Sequence, residues 1–348
     1  MKKAFMFNMI LLGLLSCDVQ VEKEGASQVE KEPGVVNVYT SRHYDADKLL
    51  YSAFESKTGI KVNVKRGKDD QLIALLQSED SLTQGDLLLT ADVGRLSYAK
   101  ELGLFRSIVS DTLKAVVSAH LRDSDNQWFA LTKRARVLVL DTAFSDTSLK
   151  SYGSLGKEAF VDQLLCRSSS NIYNQSLVAS LIAHHGEDSA QTILEGWVRN
   201  FADEPSGNDR DQVKKIAIGK GKIGIVNTYY LGKMEASKDA MEKKAVASVK
   251  VFFPNQHNYG SHINVSGGGV LKHAKHAQNA QLLLEFLVSY QAQEAFAQAN
   301  YEYPVRSGVA VHKILTSWGP FKEDTIPLEQ IGSLNQKAIS LMKKVGWK

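Results

Sequence analysis

From Val35 onward, short runs of β-branched and aliphatic residues alternate with amphipathic stretches, and this alternation limits the fold more than any other feature. "VVNVYTS" reads as a strand, and "DADKLLYSAFESKTG" as a helix with Leu49, Leu50, Ala53 and Phe54 on one face. Gly59 suits the left-handed residue that ends many helices. "IKVNVKR", "DDQLIALLQSE", "DLLLTA" and "VGRLSYAKELG" repeat the pattern as strand, helix, strand and helix. Strands joined through helices in this way make an α/β fold, with parallel-type sheets flanked by helices.

Two longer extended segments, "WFALTKRARVLVLD" and "SHINVSGGGVLKHA", read as crossovers. Between them lie a strand–helix pair, "AFVDQLLCRSS" and "NQSLVASLIAHHG", and a further strand, "KIGIVNTYY"; after them comes one long helix, "NAQLLLEFLVSYQAQEAFAQA". A folded part of about 310 residues is large for one core. The expected division is an N-terminal lobe of residues 35–134 and 262–303, and a C-terminal lobe of 135–261 and 304–348. Two lobes crossed twice describe a type II periplasmic solute-binding protein, whose ligand lies in the cleft at the carboxyl ends of strands.

The first residues, "MKKAFMFNMILLGLLSC", set two lysines before an apolar stretch too short to span a bilayer. This is an export signal, and "LLSC" resembles a bacterial lipobox with Cys17 as the acylated residue. Residues 1–17 are then the signal and 18–34 a polar tether. Asp18 resembles the pattern that retains lipoproteins at the inner membrane. The expected location is the periplasm, anchored there by Cys17, or the outer face of the cell membrane where no outer membrane exists.

Of the two cysteines only Cys166 remains, which excludes an internal disulfide and a cysteine-based zinc site. Lys and Arg number 42 against 38 Asp and Glu, with no basic stripe, so nucleic acid is not an expected partner.

No motif of an enzyme stands out. "SGGGV" lacks the Lys-Ser/Thr of a phosphate loop, and Gly267 to Gly269 read as a hinge or as close packing. The pairs His184–His185 and His273–His276 read as solvated. What remains is phenols after strands: His43 and Tyr44 in "SRHYD", Tyr173 in "SSSNIYNQS", and Tyr229 and Tyr230 in "NTYY". A phenol ionises near pH 10, so as a ligand it needs a strong Lewis acid. Ferric iron prefers anionic oxygen; zinc or calcium would not call for such a cluster. Four tyrosinates exceed the charge of Fe(III) by one, and Arg42, Lys133, Arg134 and Arg136 are near in sequence to supply a cation.

The segments "VNVYTSRHYDADK", "LTKRARV", "CRSSSNIYNQSLVASLIAHHGE", "GNDRDQ", "IVNTYY", "VFFPNQ" and "NYEYPV" resemble the ferric-iron-binding periplasmic proteins of bacterial ABC importers, in the tyrosine-rich subgroup without a synergistic anion. The resemblance runs from Val35 to Trp347. It implies metal ligation by His43, Tyr44, Tyr173, Tyr229 and Tyr230, with Arg134 behind them, and Fe(III) as transported ligand with no catalytic cofactor. It also implies a monomer that works with an ABC permease and its ATPase. A same-fold protein for a polyamine, thiamine or organic anion, and an iron-tyrosinate dioxygenase, are the competing readings.

Overall fold

The computed structural model describes Met1, residues 34–42 and residues 44–348. Cys17, the rest of the expected signal and tether up to residue 33, and His43 lie outside the described residues. Among the described residues no helix is long and apolar enough to cross a membrane.

The chain opens as β1 (Val35–Thr40), α1 (Asp45–Thr58), β2 (Lys61–Arg66), α2 (Asp69–Glu79), β3 (Leu87–Thr90) and α3 (Val93–Glu101). β1 pairs in parallel with both β2 and β3. Gly59 ends α1 at φ 71°, as its lack of a Cβ allows. The buried face of α1 is set by Ala46, Leu50, Tyr51 and Phe54, while Leu49 is 72% exposed. The expected apolar stripe is therefore rotated, because Tyr51 rather than Leu49 packs inward.

After α4 (Asp111–Val116) comes β4 (Phe129–Asp141), the first crossover. It is one strand with two sets of partners. Its first half pairs antiparallel with β8 (Ile263–Val270), and Arg136–Leu140 pair antiparallel with β6 (Ile223–Asn227). β5 (Leu164–Leu165) lies parallel to β6, while β7 (Val249–Phe252) and β9 (Tyr303–Pro304) add to opposite ends of β4. The order is β2-β1-β3-β8-β4-β6-β5. The sheet is thus mixed: strands joined through helices are parallel, and both crossovers run against their neighbours. β8 returns through the same sheet that β4 leaves, so it must run the other way.

Helices cover both faces: α5 (Ile172–His185), α6 (Glu187–Arg199), α7 (Asp209–Ala217), α8 (Thr228–Glu235) and α9 (Ala240–Ala247) around the second half-sheet, then α10 (Ala277–Leu287) and α11 (Tyr290–Asn300) on the first. α12 (Lys313–Ser317), α13 (Leu328–Ser333) and α14 (Asn335–Lys344) complete the chain, α13 packing on both α3 and α5. The single long helix expected over 279–299 is two, because Ser289 caps α11 by accepting from the Ala292 amide.

Gly267 to Gly269 serve close packing. A Cβ at Gly269 would stand 2.3 Å from the Gln127 carbonyl, and one at Gly268 2.3 Å from Leu89 Cδ2. No larger residue fits between β3, β8 and β4 there.

Candidate functional site

The four expected tyrosines meet at three helix beginnings. β1 ends at Thr40, and Tyr44 is the N-cap residue of α1, still extended at φ −78°, ψ 148°. Tyr173 is the second residue of α5. β6 passes at Asn227 directly into α8, so Tyr229 and Tyr230 stand in the first helical turn rather than on a strand end or loop. Neighbours on a helix are about 100° apart, which lets both phenols lean to one side. Their ring centroids are 4.3 Å apart. Tyr229 Oη donates to Tyr173 Oη at 3.2 Å.

All three helix starts carry partial positive charge, which favours anionic oxygen. Burial acts in the opposite sense. It raises the phenol pKa values of Tyr44, Tyr173 and Tyr229 above the ordinary value, and for each the proximity of other phenols adds to the rise. Without metal, Tyr44, Tyr173 and Tyr229 therefore keep their protons at physiological pH.

Cations face the rings. Arg134 Cζ lies 5.1 Å and Arg167 Cζ 5.7 Å from the Tyr173 centroid; Arg42 Cζ lies 5.0 Å and Lys233 Nζ 4.0 Å from that of Tyr44. The arginines are held by acids. Arg134 lies 3.6 Å from Asp92 and donates to the Ala91 carbonyl. Arg42 pairs with Asp47 and Glu302, and Arg167 shares Asp209 with Arg136. Lys133, one of the expected cation candidates, pairs with Glu323 at 2.7 Å and touches none of the phenols.

Asp209 anchors the whole second-half side of the site. Its Oδ2 accepts from Arg136 at 2.7 Å and from the Asn227 amide at 2.6 Å, its Oδ1 from Arg167 at 3.3 Å. The Ala135 amide donates to Thr228 Oγ1 at 3.2 Å, fixing the start of α8 on β4. A cavity of about 500 Å³ is lined by Ser41, Arg66, Lys68, Asp69, Asp70, Arg95 and Ile172, the neighbour of Tyr173, and by none of the four phenols.

Arg167, Asp209, Lys233 and Glu302 were not foreseen. Lys233 had a local signal, four residues after Tyr229 and so on the same helical face, but "NTYYLG" read as strand and turn. The histidine pairs make contacts as well. His184 bonds Asp324 at 2.7 Å and stacks on Tyr259, His185 meets the Tyr259 hydroxyl at 3.0 Å, and His276 meets Asp86 at 3.0 Å. His185 is exposed and His276 about a third exposed (34%), as the solvated reading expects, and of the three only His184 is largely covered. Cys166 is buried.

Among the described residues, Asp123, Asp125 and Glu329 form a carboxylate cluster of metal-binding size, but the Lys100 ammonium pairs with all three. That cluster ties α3 to α13.

Residues 85–322 match the family model described as bacterial extracellular solute-binding protein. Iron uptake protein A1 of Synechocystis sp. is 43% identical over 314 residues, covering 90% of this chain and 87% of the relative. A Trichodesmium structure in complex with iron and citrate ligands superposes with TM-score 0.88 at 44% identity, over 90% of this chain and 100% of that one. The ferric binding protein from Campylobacter jejuni superposes with TM-score 0.86 at 37% identity, over 90% and 100%.

Proposed function

The chain belongs to the bacterial extracellular solute-binding proteins, and we propose that Tyr44, Tyr173, Tyr229 and Tyr230 are the seat at which it binds its solute, Fe(III). The protein serves ferric iron uptake as the binding component of an importer and is not an enzyme. The observation that carries the seat is the approach of Tyr229 and Tyr173 oxygens to 3.2 Å between two helix beginnings. No catalytic cofactor enters this reading.

Fe(III) is acidic enough to displace the phenol protons, and each phenolate then gains from a helix N-terminus. His43 is proposed as a fifth donor from the first loop. Arg134, against the Tyr173 face, favours that phenolate. The lobes proposed are residues 35–134 with 262–303, and 135–261 with 304–348, which close on the ion by bending across β4 and β8.

Titration with Fe(III) is expected to produce a tyrosinate charge-transfer band in the blue-green. Tyr173→Phe should weaken the band and the hold on iron, while Arg134→Ala should keep the band and lose iron faster to a chelator. An iron-loaded protein without the band would sink the phenolate seat.

The protein acts outside the cytoplasm, with the permease of an importer as its partner. We further propose that it is a monomer, works with that importer's ATPase and is anchored at the inner membrane through Cys17, the tether giving its folded part reach. Cys17→Ser should move the protein from the membrane fraction to the soluble one with iron binding intact. Unchanged partitioning would argue for an ordinary cleaved signal.

A further inference from the structure

Lys233 is the one cation at the phenols that has no ion pair among the described residues. It stands on α8, one turn after Tyr229, and long side chains on a helix lean back toward its N-terminus. That lean carries the ammonium over the cleft, 5.5 Å from the Tyr229 centroid and 4.0 Å from that of Tyr44. Tyr44 follows β1 in the first half-sheet, whereas α8 follows β6 in the second, so the contact spans the two. An ammonium is strongly hydrated, and half-burying it against two ring faces is favourable only where those faces replace water.

We propose that Lys233 is a positioning residue that draws Tyr44 across the cleft before iron arrives and offsets the surplus negative charge once the phenolates form. Two demands meet in it. Without metal, the ring face of Tyr44 receives the cation and favours the closed arrangement. With metal, four phenolates around Fe(III) leave one negative charge in excess. Arg42, Arg134, Arg136 and Arg167 already face buried carboxylates at Asp47, Glu302, Asp92 and Asp209, so Lys233 is the cation left to balance it. The charge-balancing half of the proposal rests on the phenol seat proposed above. The closing half does not, because it is read without iron.

The experiment uses the mature chain carrying Cys17→Ser, with Lys233→Met, Lys233→Arg, Tyr44→Phe and Tyr44→Ala introduced separately. Small-angle scattering of the iron-free proteins comes first. Lys233→Met and Tyr44→Ala are expected to be more open than the parent. Lys233→Arg, which keeps the cation, and Tyr44→Phe, which keeps the ring face, are expected to match it. Fe(III) titration follows. Lys233→Met should still colour through Tyr173, Tyr229 and Tyr230, with a weaker band per iron and an apparent affinity about thirtyfold lower. Lys233→Arg should restore both within about threefold. A thermal melt of each variant separates this from misfolding: a Lys233→Met that melts like the parent, scatters like it and gives the same band overturns the proposal. If Lys233→Met melts early, the Tyr44→Phe and Tyr44→Ala pair decides, and equal scattering from those two overturns the closing role. A parent without any iron band would overturn the phenol seat, while the iron-free scattering would still judge the latch.

Discussion

Each unit fall in pH through and below neutrality is expected to weaken Fe(III) binding by about a thousandfold or more, and binding is expected to release at least about three protons per iron, one each from Tyr44, Tyr173 and Tyr229. The sign follows from burial. Tyr44, Tyr173 and Tyr229 are pushed above the ordinary phenol value by loss of hydration, then by one another, so in the metal-free protein they hold their protons throughout the neutral range. Iron ligation removes those protons, so rising pH favours the complex and falling pH opposes it. Each displaced proton contributes a factor of ten per pH unit, so the three raised phenols alone set the thousandfold slope, and any further phenol of the seat steepens it. The slope persists upward until pH passes the raised phenol values, well beyond the range in which free tyrosine would ionise. A pH-stat titration of the iron-free protein at fixed neutral pH counts the protons directly. Release of fewer than one proton per iron, at full occupancy, would remove the phenols from the ligand set.

Asp209→Ala is expected to cost about 3–5 kcal/mol of stability and most of the iron-binding capacity. The carboxylate is fully buried and serves two arginines, and its loss strands the Arg136 guanidinium, which has no exposure of its own. The same oxygen that binds Arg136 also accepts from the Asn227 amide at the end of β6. Removing it therefore loosens the strand end that launches α8, and with it Tyr229, Tyr230 and Lys233. Asn174 keeps one bond to Arg136 at 2.7 Å, which softens the loss without replacing the charge. Denaturant unfolding gives the stability change, and iron stoichiometry by absorbance gives the site effect. A variant within about 1 kcal/mol of the parent that loads iron normally would show that Asp209 is not the anchor described.

Much of this was legible in the chain because it is written locally. Apolar periodicity located β1, β2, β3 and the helices between them, and the run "WFALTKRARVLVLD" marked the crossover that is β4, Phe129–Asp141. The tyrosines were legible because phenols after strands fall at the mouth of an α/β cleft. Strand direction was not, since nothing in "SHINVSGGG" states that it will run antiparallel to β3; that depends on the path of the chain over the preceding 170 or so residues. Leu49 was misplaced because period alone does not say which of two adjacent faces meets a partner, and Tyr51 won that place. Arg167, Asp209 and Glu302 escaped because their meaning is their partners, 260 residues distant for Glu302 and Arg42.

The meeting of α1, α5 and α8 at their N-termini has a consequence for selectivity. On the proposed seat, the buried hydroxyls of Tyr44, Tyr173 and Tyr229 are backed before iron binds by three positive helix ends and by Lys233, unpaired among the described residues, an arrangement that disfavours cations. Entry is thus governed by acidity and not by size or ring of donors. An ion that leaves the phenols protonated meets only the repulsion. An ion that strips them converts each helix end from an obstacle into a support, three times over. On the phenol seat, the helix ends turn the protein into a filter that passes strong Lewis acids and turns away weaker ones such as calcium, magnesium and zinc.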